Sequence, residues 1–241
     1  MQPDRWWVSR TGHAAVSDRR PVQRPLVKIC GLTRAEDVRR AAELGADLIG
    51  VVLSAGFGRS VPLERASGMV AGVETSRVAV VVDESPYGTS ERALAIDASV
   101  VQLHGHEDVS MIRQLRELGD WTLWKAVRPR ELRDLRAAVD RIGPFVDGIL
   151  VEGWRQGSVG GTGARLGLDP EVVREAMPEG LTFVLAGGLT PETVQDAVAR
   201  FAPDVVDVSS GVEAALGEKD AASMEAFIEA AREPRALRTD S

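Results

Sequence analysis

Short apolar runs rich in Val, Ile and Leu recur along the chain. They fall at 26–30 (LVKIC), 47–53 (DLIGVVL), 77–82 (RVAVVV), 99–104 (SVVQLH), 121–127 (WTLWKAV), 148–152 (GILVE), 182–187 (TFVLAG) and 205–210 (VVDVSS). Their length and β-branched content predict strands. Between them, apolar positions fall at three- and four-residue spacing, as in 35–45, 107–119 and 191–201, which predicts amphipathic helices. The first two of these segments end in Gly45 and Gly119 and the third opens with Pro191, residues that suit helix stops and starts.

Strands alternating with helices imply parallel strands joined by crossovers, so the fold class is α/β. Eight such units within about 205 residues point to a single (β/α)₈ barrel with a parallel eight-stranded core. An open doubly wound sheet is the alternative, but no GxGxxG follows the first run, which speaks against its dinucleotide-binding version. The barrel is expected over 26–233 as the catalytic domain. Residues 1–25 form an expected N-terminal extension with five Arg, three Pro and the pair Trp6-Trp7, and 234–241 an expected tail. Those two Trp leave two readings open, a poorly ordered extension or an arm docked on the barrel or on a second subunit.

Composition narrows the function classes. The chain has 241 residues and a net charge of −7, with 44% hydrophobic and 27% charged residues. That balance suits a soluble globular domain and argues against nucleic acid or a membrane surface as partners. No run approaches the roughly 20 apolar residues of a membrane span. A single cysteine makes no internal disulfide, so a cytoplasmic location is expected. The three His, at 13, 104 and 106, show no metal-ligand spacing, and no metal site is expected.

In such a barrel, chemistry sits at the C-terminal ends of the strands, and polar residues interrupt the apolar runs there. Cys30, His104 and Glu152 end three of the runs, Asp207 with Ser209 and Ser210 closes the last, and Arg59 lies in the loop SAGFGRS (54–60). Lys28 is two residues from Cys30 and shares its face. An inward lysine needs a carboxylate or phosphate nearby, which makes Lys28 a candidate substrate-binding group. His104 reads equally as a substrate contact or a hydrogen-bonded structural residue. Glycine turns follow the last two runs, at AGGLTPE (186–192) and SSGVE (209–213), where such barrels commonly hold a phosphate on backbone N–H groups.

The motifs KICGLT (28–33), VQLHG (101–105), GGTG (160–163), LAGGL (185–189), VDVSSGVE (206–213) and GEKD (217–220) together resemble the phosphoribosylanthranilate isomerase family of tryptophan biosynthesis. The resemblance runs in order from about Leu26 to Ala230. It implies a (β/α)₈ barrel that performs an Amadori rearrangement of N-(5′-phosphoribosyl)anthranilate, a small phosphorylated molecule, with neither metal nor cofactor. It further implies that Cys30 is the general base and that the carboxylate ending the sixth run, Glu152, is the general acid. Arg59 is implied to meet the anthranilate carboxylate, and Asp207 the substrate near the reacting atoms. The backbone around Gly187, Gly188, Ser210 and Gly211 is implied to hold the phosphate. Lys28 is expected to lower the ordinarily high thiol pKa of Cys30. Without the resemblance, a lone buried cysteine reads as inert packing.

The chain departs from the family pattern in three places. Glu152 stands where the family has Asp, one methylene shorter. The segment ARLGLD (164–169) lacks the usual lysine and aromatic residue, and SAGFGRS is richer in glycine than usual. A related isomerase acting on another phosphorylated amino-sugar, or a sugar-phosphate-binding barrel without catalysis, are the alternatives these departures raise. Monomer and homodimer are both compatible with the sequence.

Overall fold

A computed structural model describes residues 24–153 and 167–233. The expectations for the N-terminal extension, the GGTG motif and the tail fall largely or wholly outside the described residues.

Each apolar run forms a strand, and a helix follows each one. The order is β1 (Leu26–Ile29), α1 (Ala35–Glu43), β2 (Leu48–Val52), α2 (Leu63–Val70), β3 (Ser76–Val81), α3 (Pro86–Ala95), β4 (Val100–Leu103) and α4 (Val109–Leu118). It continues with β5 (Thr122–Val127), α5 (Leu132–Ile142), β6 (Gly148–Glu152), α6 (Pro170–Glu175), β7 (Thr182–Ala186), α7 (Pro191–Phe201) and β8 (Val205–Val208). A two-stranded hairpin, β9 (Glu213–Ala215) and β10 (Glu218–Lys219), precedes α8 (Ala221–Arg232). The eight strands close into a parallel barrel in sequence order, with β1 pairing to β8 through Leu26↔Val205 and Lys28↔Asp207. Closure decides between the barrel and the open sheet.

Strand alternation sorts the apolar residues into two cores. Outward positions such as Ile29, Val51, Val101, Ile149 and Val206 pack against the buried helix faces. Inward positions such as Leu48, Val78, Val100, Trp124, Leu150 and Val184 fill the barrel itself. Gly148 lies beside Trp124 in register, and a Cβ there would sit 2.7 Å from the indole ring. A bulky inward ring thus forces a neighbour without a side chain. Above this apolar plug the inward residues turn polar: Lys28, Gln102, Glu152 and Asp207 are all buried.

At the opposite end, the residue before three of the strands staples the chain. The N–H groups of Asp47, Asp147 and Asp204 donate to the carbonyls of Val27, Leu123 and Phe183 at 2.8–2.9 Å. Their carboxylates accept from the N–H groups of those same residues at 2.8 Å. Aspartate side chains cap two helix starts, Asp108 accepting from the Met111 N–H and Asp220 from the Ser223 N–H. Of the two glycine stops, Gly45 is left-handed at φ +87. Gly119 is extended, and its small size instead accommodates the ring of Trp121. No described helix is long and apolar enough to cross a membrane.

Candidate active site

A cleft enclosing roughly 900 Å³ of space, partly open to solvent, lies at the C-terminal mouth of the barrel. Nine of the ten expected site residues line it: Cys30, Arg59, His104, Glu152, Gly187, Gly188, Asp207, Ser210 and Gly211. Lys28 lies beneath them, fully buried.

The β1–β8 pairing sets the first cluster. Lys28 and Asp207 are register partners and both face inward, so the ammonium meets the carboxylate at 2.9 Å. Cys30 follows directly beyond β1, still held by a 2.8 Å bond from its N–H to the Val208 carbonyl. Gly50 on β2 leaves room for both side chains. A Cβ there would lie 2.8 Å from the Cys30 sulfur and 3.2 Å from Lys28 Nζ. Burial disfavours the Lys28 ammonium, but the charges of Asp207 and Cys30 more than offset this and hold Lys28 above its ordinary value.

Lys28 pulls the thiol down as expected, but Cys30 as a whole lies above its ordinary value. Burial pushes it up because a thiolate loses its hydration in the barrel interior. Lys28 opposes this, but its charge is already committed to Asp207, whose own negative charge pushes the thiol further up.

Gly31 comes next, left-handed at φ +70, and Arg59 passes directly over it. A side chain at this position would collide with Arg59 Cδ and with Ser209 Oγ. The Arg59 guanidinium binds Glu213 at both carboxylate oxygens, at 2.7 Å each. Lys219 reaches the same carboxylate at 2.9 Å and the Ser209 carbonyl at 3.0 Å. Burial works against the Glu213 carboxylate, but its bonds from Arg59 and Lys219 prevail and hold it below its ordinary value. Arg59 therefore reaches the cleft, with its fork already joined to the β9–β10 hairpin.

The second cluster surrounds Glu152 at the end of β6. Arg128 Nε donates to Glu152 Oε2 at 3.0 Å, and His104 Nε2 lies 3.5 Å from the same oxygen. The other ring nitrogen of His104, Nδ1, meets the Gln102 amide at 2.9 Å. The backbone that carries His104 is braced from β5. Lys125 donates to the Gly105 carbonyl at 2.7 Å and pairs with Glu107 at 3.1 Å, and Glu107 accepts from Gly105 N–H. His106 is exposed. Asp147 sits at the far end of β6, bound to Arg116 and Leu123, and takes no part in the cleft.

The third group joins the turns after β7 and β8. Gly187 and Gly188 are both left-handed, at φ +91 and +64. The Leu189 carbonyl presses on Gly211 so closely that a side chain has no room there. Glycine is needed at these positions both for the backbone path and for the approach of the two turns.

Reading the sequence alone missed Gln102, Arg128, Gly50, Glu213 and Lys219. A signal existed for Gln102, a polar residue within the run SVVQLH and on the same strand face as His104. Glu213 and Lys219 lie inside the motifs VDVSSGVE and GEKD. Arg128 and Gly50 gain meaning only from strands that neighbour them in space. Among the described residues, no group of His, Cys, Asp or Glu is arranged to hold a metal ion.

A closed barrel with a thiol, a carboxylate and paired glycine turns around one cleft defines a (β/α)₈-barrel enzyme of the acid–base type. The family model described as N-(5′-phosphoribosyl)anthranilate (PRA) isomerase matches residues 27–230. The chain belongs to that family. It is 38% identical over 203 residues to N-(5′-phosphoribosyl)anthranilate isomerase of Neisseria meningitidis serogroup C, covering 83% of this chain and 93% of the relative. The crystal structure of phosphoribosyl anthranilate isomerase from Thermotoga maritima superposes with a TM-score of 0.75 at 33% identity, covering 86% of this chain and 98% of that one. A phosphoribosyl anthranilate isomerase in complex with reduced 1-(o-carboxyphenylamino)-1-deoxyribulose 5-phosphate gives 0.73 at 32% identity, with the same coverage.

Proposed function

We infer that the protein is an isomerase converting N-(5′-phosphoribosyl)anthranilate to 1-(2-carboxyphenylamino)-1-deoxyribulose 5-phosphate, a step of tryptophan biosynthesis. The observation that carries the assignment to particular residues is that Cys30 and Glu152 open into one cleft with the glycine turns, in a chain of this family.

In this reading Glu152 donates a proton to the ribose ring oxygen. The C1′–O bond breaks, and the anilino nitrogen lone pair forms the C=N bond of a Schiff base. The Cys30 thiolate then takes the C2′ proton, and the C–H electron pair moves into a C1′–C2′ double bond as the C=N pair returns to nitrogen. Loss of the C2′ hydroxyl proton and protonation of C1′ give the ketose. Asp207 and Lys28 steady the thiol from below. Gly187, Gly188, Ser210 and Gly211 offer backbone N–H groups to the phosphate. Arg59 meets the anthranilate carboxylate, which shares it with Glu213.

The test follows the loss of phosphoribosylanthranilate fluorescence with purified protein. Wild type turns over, while Cys30→Ala and Glu152→Gln each lose about 10²- to 10⁴-fold in kcat. Full activity in Glu152→Gln would remove the acid assignment. An inert wild type that still binds the phosphorylated product would favour a related substrate instead.

A further inference from the structure

Gln102 is a buried polar side chain in the middle of β4, 1% exposed, and it lines the cleft between Val80 and His104. A fully buried amide is costly unless both of its ends are satisfied. One end is: Nε2 lies 2.9 Å from His104 Nδ1. The other, Oε1, is buried and has no hydrogen-bond partner among the described residues.

Both ends carry information. An amide NH₂ can only donate, so a bond from Gln102 Nε2 requires a lone pair on His104 Nδ1. The imidazole proton is then on Nε2, the nitrogen that faces Glu152 Oε2 at 3.5 Å. His104 in this form turns its N–H toward the carboxylate that Arg128 Nε already reaches at 3.0 Å. The remaining oxygen of Gln102 is an acceptor in a cleft wall, and the groups able to satisfy it are N–H or O–H donors of a bound molecule.

We propose that Gln102 is a positioning residue that fixes His104 as the Nε2–H tautomer directed at Glu152, and that its Oε1 accepts a hydrogen bond from a sugar hydroxyl or the bridging N–H of the substrate. The substrate half of this proposal rests on the isomerase reading given above. The tautomer half does not.

The experiment uses the full-length protein with ¹⁵N-labelled histidine. The chain holds three His, so His104 is identified as the signal lost in His104→Asn. Two-bond ¹H–¹⁵N correlation of the free wild type shows His104 protonated on Nε2 and bare on Nδ1. In Gln102→Glu the carboxylate accepts instead of donating, and the proton appears on Nδ1. Gln102→Leu removes the acceptor and weakens binding of the reduced product analogue about tenfold, equivalent to roughly 1.4 kcal/mol. It should do so while the urea midpoint stays within the range of Gln102→Met. A wild-type His104 protonated on Nδ1 overturns the positioning role, because it means the amide faces the ring with its oxygen. Unchanged analogue affinity in Gln102→Leu overturns the substrate contact. An inactive wild type with the expected tautomer leaves the positioning role standing and sinks the isomerase reading instead.

Discussion

At Cys30, burial and the charge of Asp207 together outweigh the opposing charge of Lys28. The basic form of a thiol is the thiolate, so a value above the ordinary one means less base at neutral pH. The rate of Cys30 alkylation by iodoacetamide, which follows the thiolate fraction alone, should therefore keep rising through and beyond the ordinary thiol range as pH increases. A plateau already reached near neutrality would contradict this order of effects. Gly50 supplies a second prediction for the same site. In Gly50→Ala the new methyl meets the sulfur at 2.8 Å, so the thiol must shift. A displacement on the order of 1 Å costs about 10²-fold in rate, whereas overpacking costs only about 1–3 kcal/mol of stability. Activity assays at a temperature where circular dichroism shows the variant folded should find the larger loss in kcat rather than KM.

Single strands and their staples carry stability apart from chemistry. Asp204 accepts from Phe183 N–H and donates back to the Phe183 carbonyl, so it ties the start of β8 to the start of β7. The carboxylate bond is charge-assisted, and its loss is worth about 1.5–3 kcal/mol. Asp204→Ala should lower the urea midpoint accordingly while kcat stays within about twofold, because this end of the barrel faces away from the cleft. A drop in kcat with unchanged stability would mean that the staple positions the site. The contrast with β5 is instructive. That strand held no expected site residue, yet Lys125 braces the backbone at Gly105 and Arg128 holds Glu152. An element can shape a site through its neighbours without owning a reactive group.

The whole molecule depends on closure between its first and last strands. Lys28 and Asp207, 179 positions apart, meet there as a buried pair. Removing one partner leaves a buried charge and costs about 3–5 kcal/mol, whereas replacing both by apolar residues of similar size is often neutral. Chemical denaturation should show Lys28→Met strongly destabilised and Lys28→Met/Asp207→Leu restored toward wild type. The double variant should remain inactive, because the stabilising part of the pair is replaceable and its polarity beside Cys30 is not. If the double variant is as unstable as the single one, the pair is not the source of the cost.

The amino-acid sequence determined the eight strand–helix units, because periodicity and turn residues are local properties that each segment declares for itself. It also determined which reactive types sit at strand ends, and the motifs from KICG to VDVSSG placed the chain in its family. Closure, and everything that depends on it, was decided by the tertiary structure. Lys28 meets Asp207 only when β1 reaches β8. Gly50 matters only because Cys30 lies across from it, and Arg128 finds Glu152 only from the adjoining strand. The thiol at Cys30 is the sharpest case. Its neighbour Lys28 was visible along the chain and pointed to a lowered value. The amount of water excluded around it, and the carboxylate that claims the lysine, exist only once the barrel is folded.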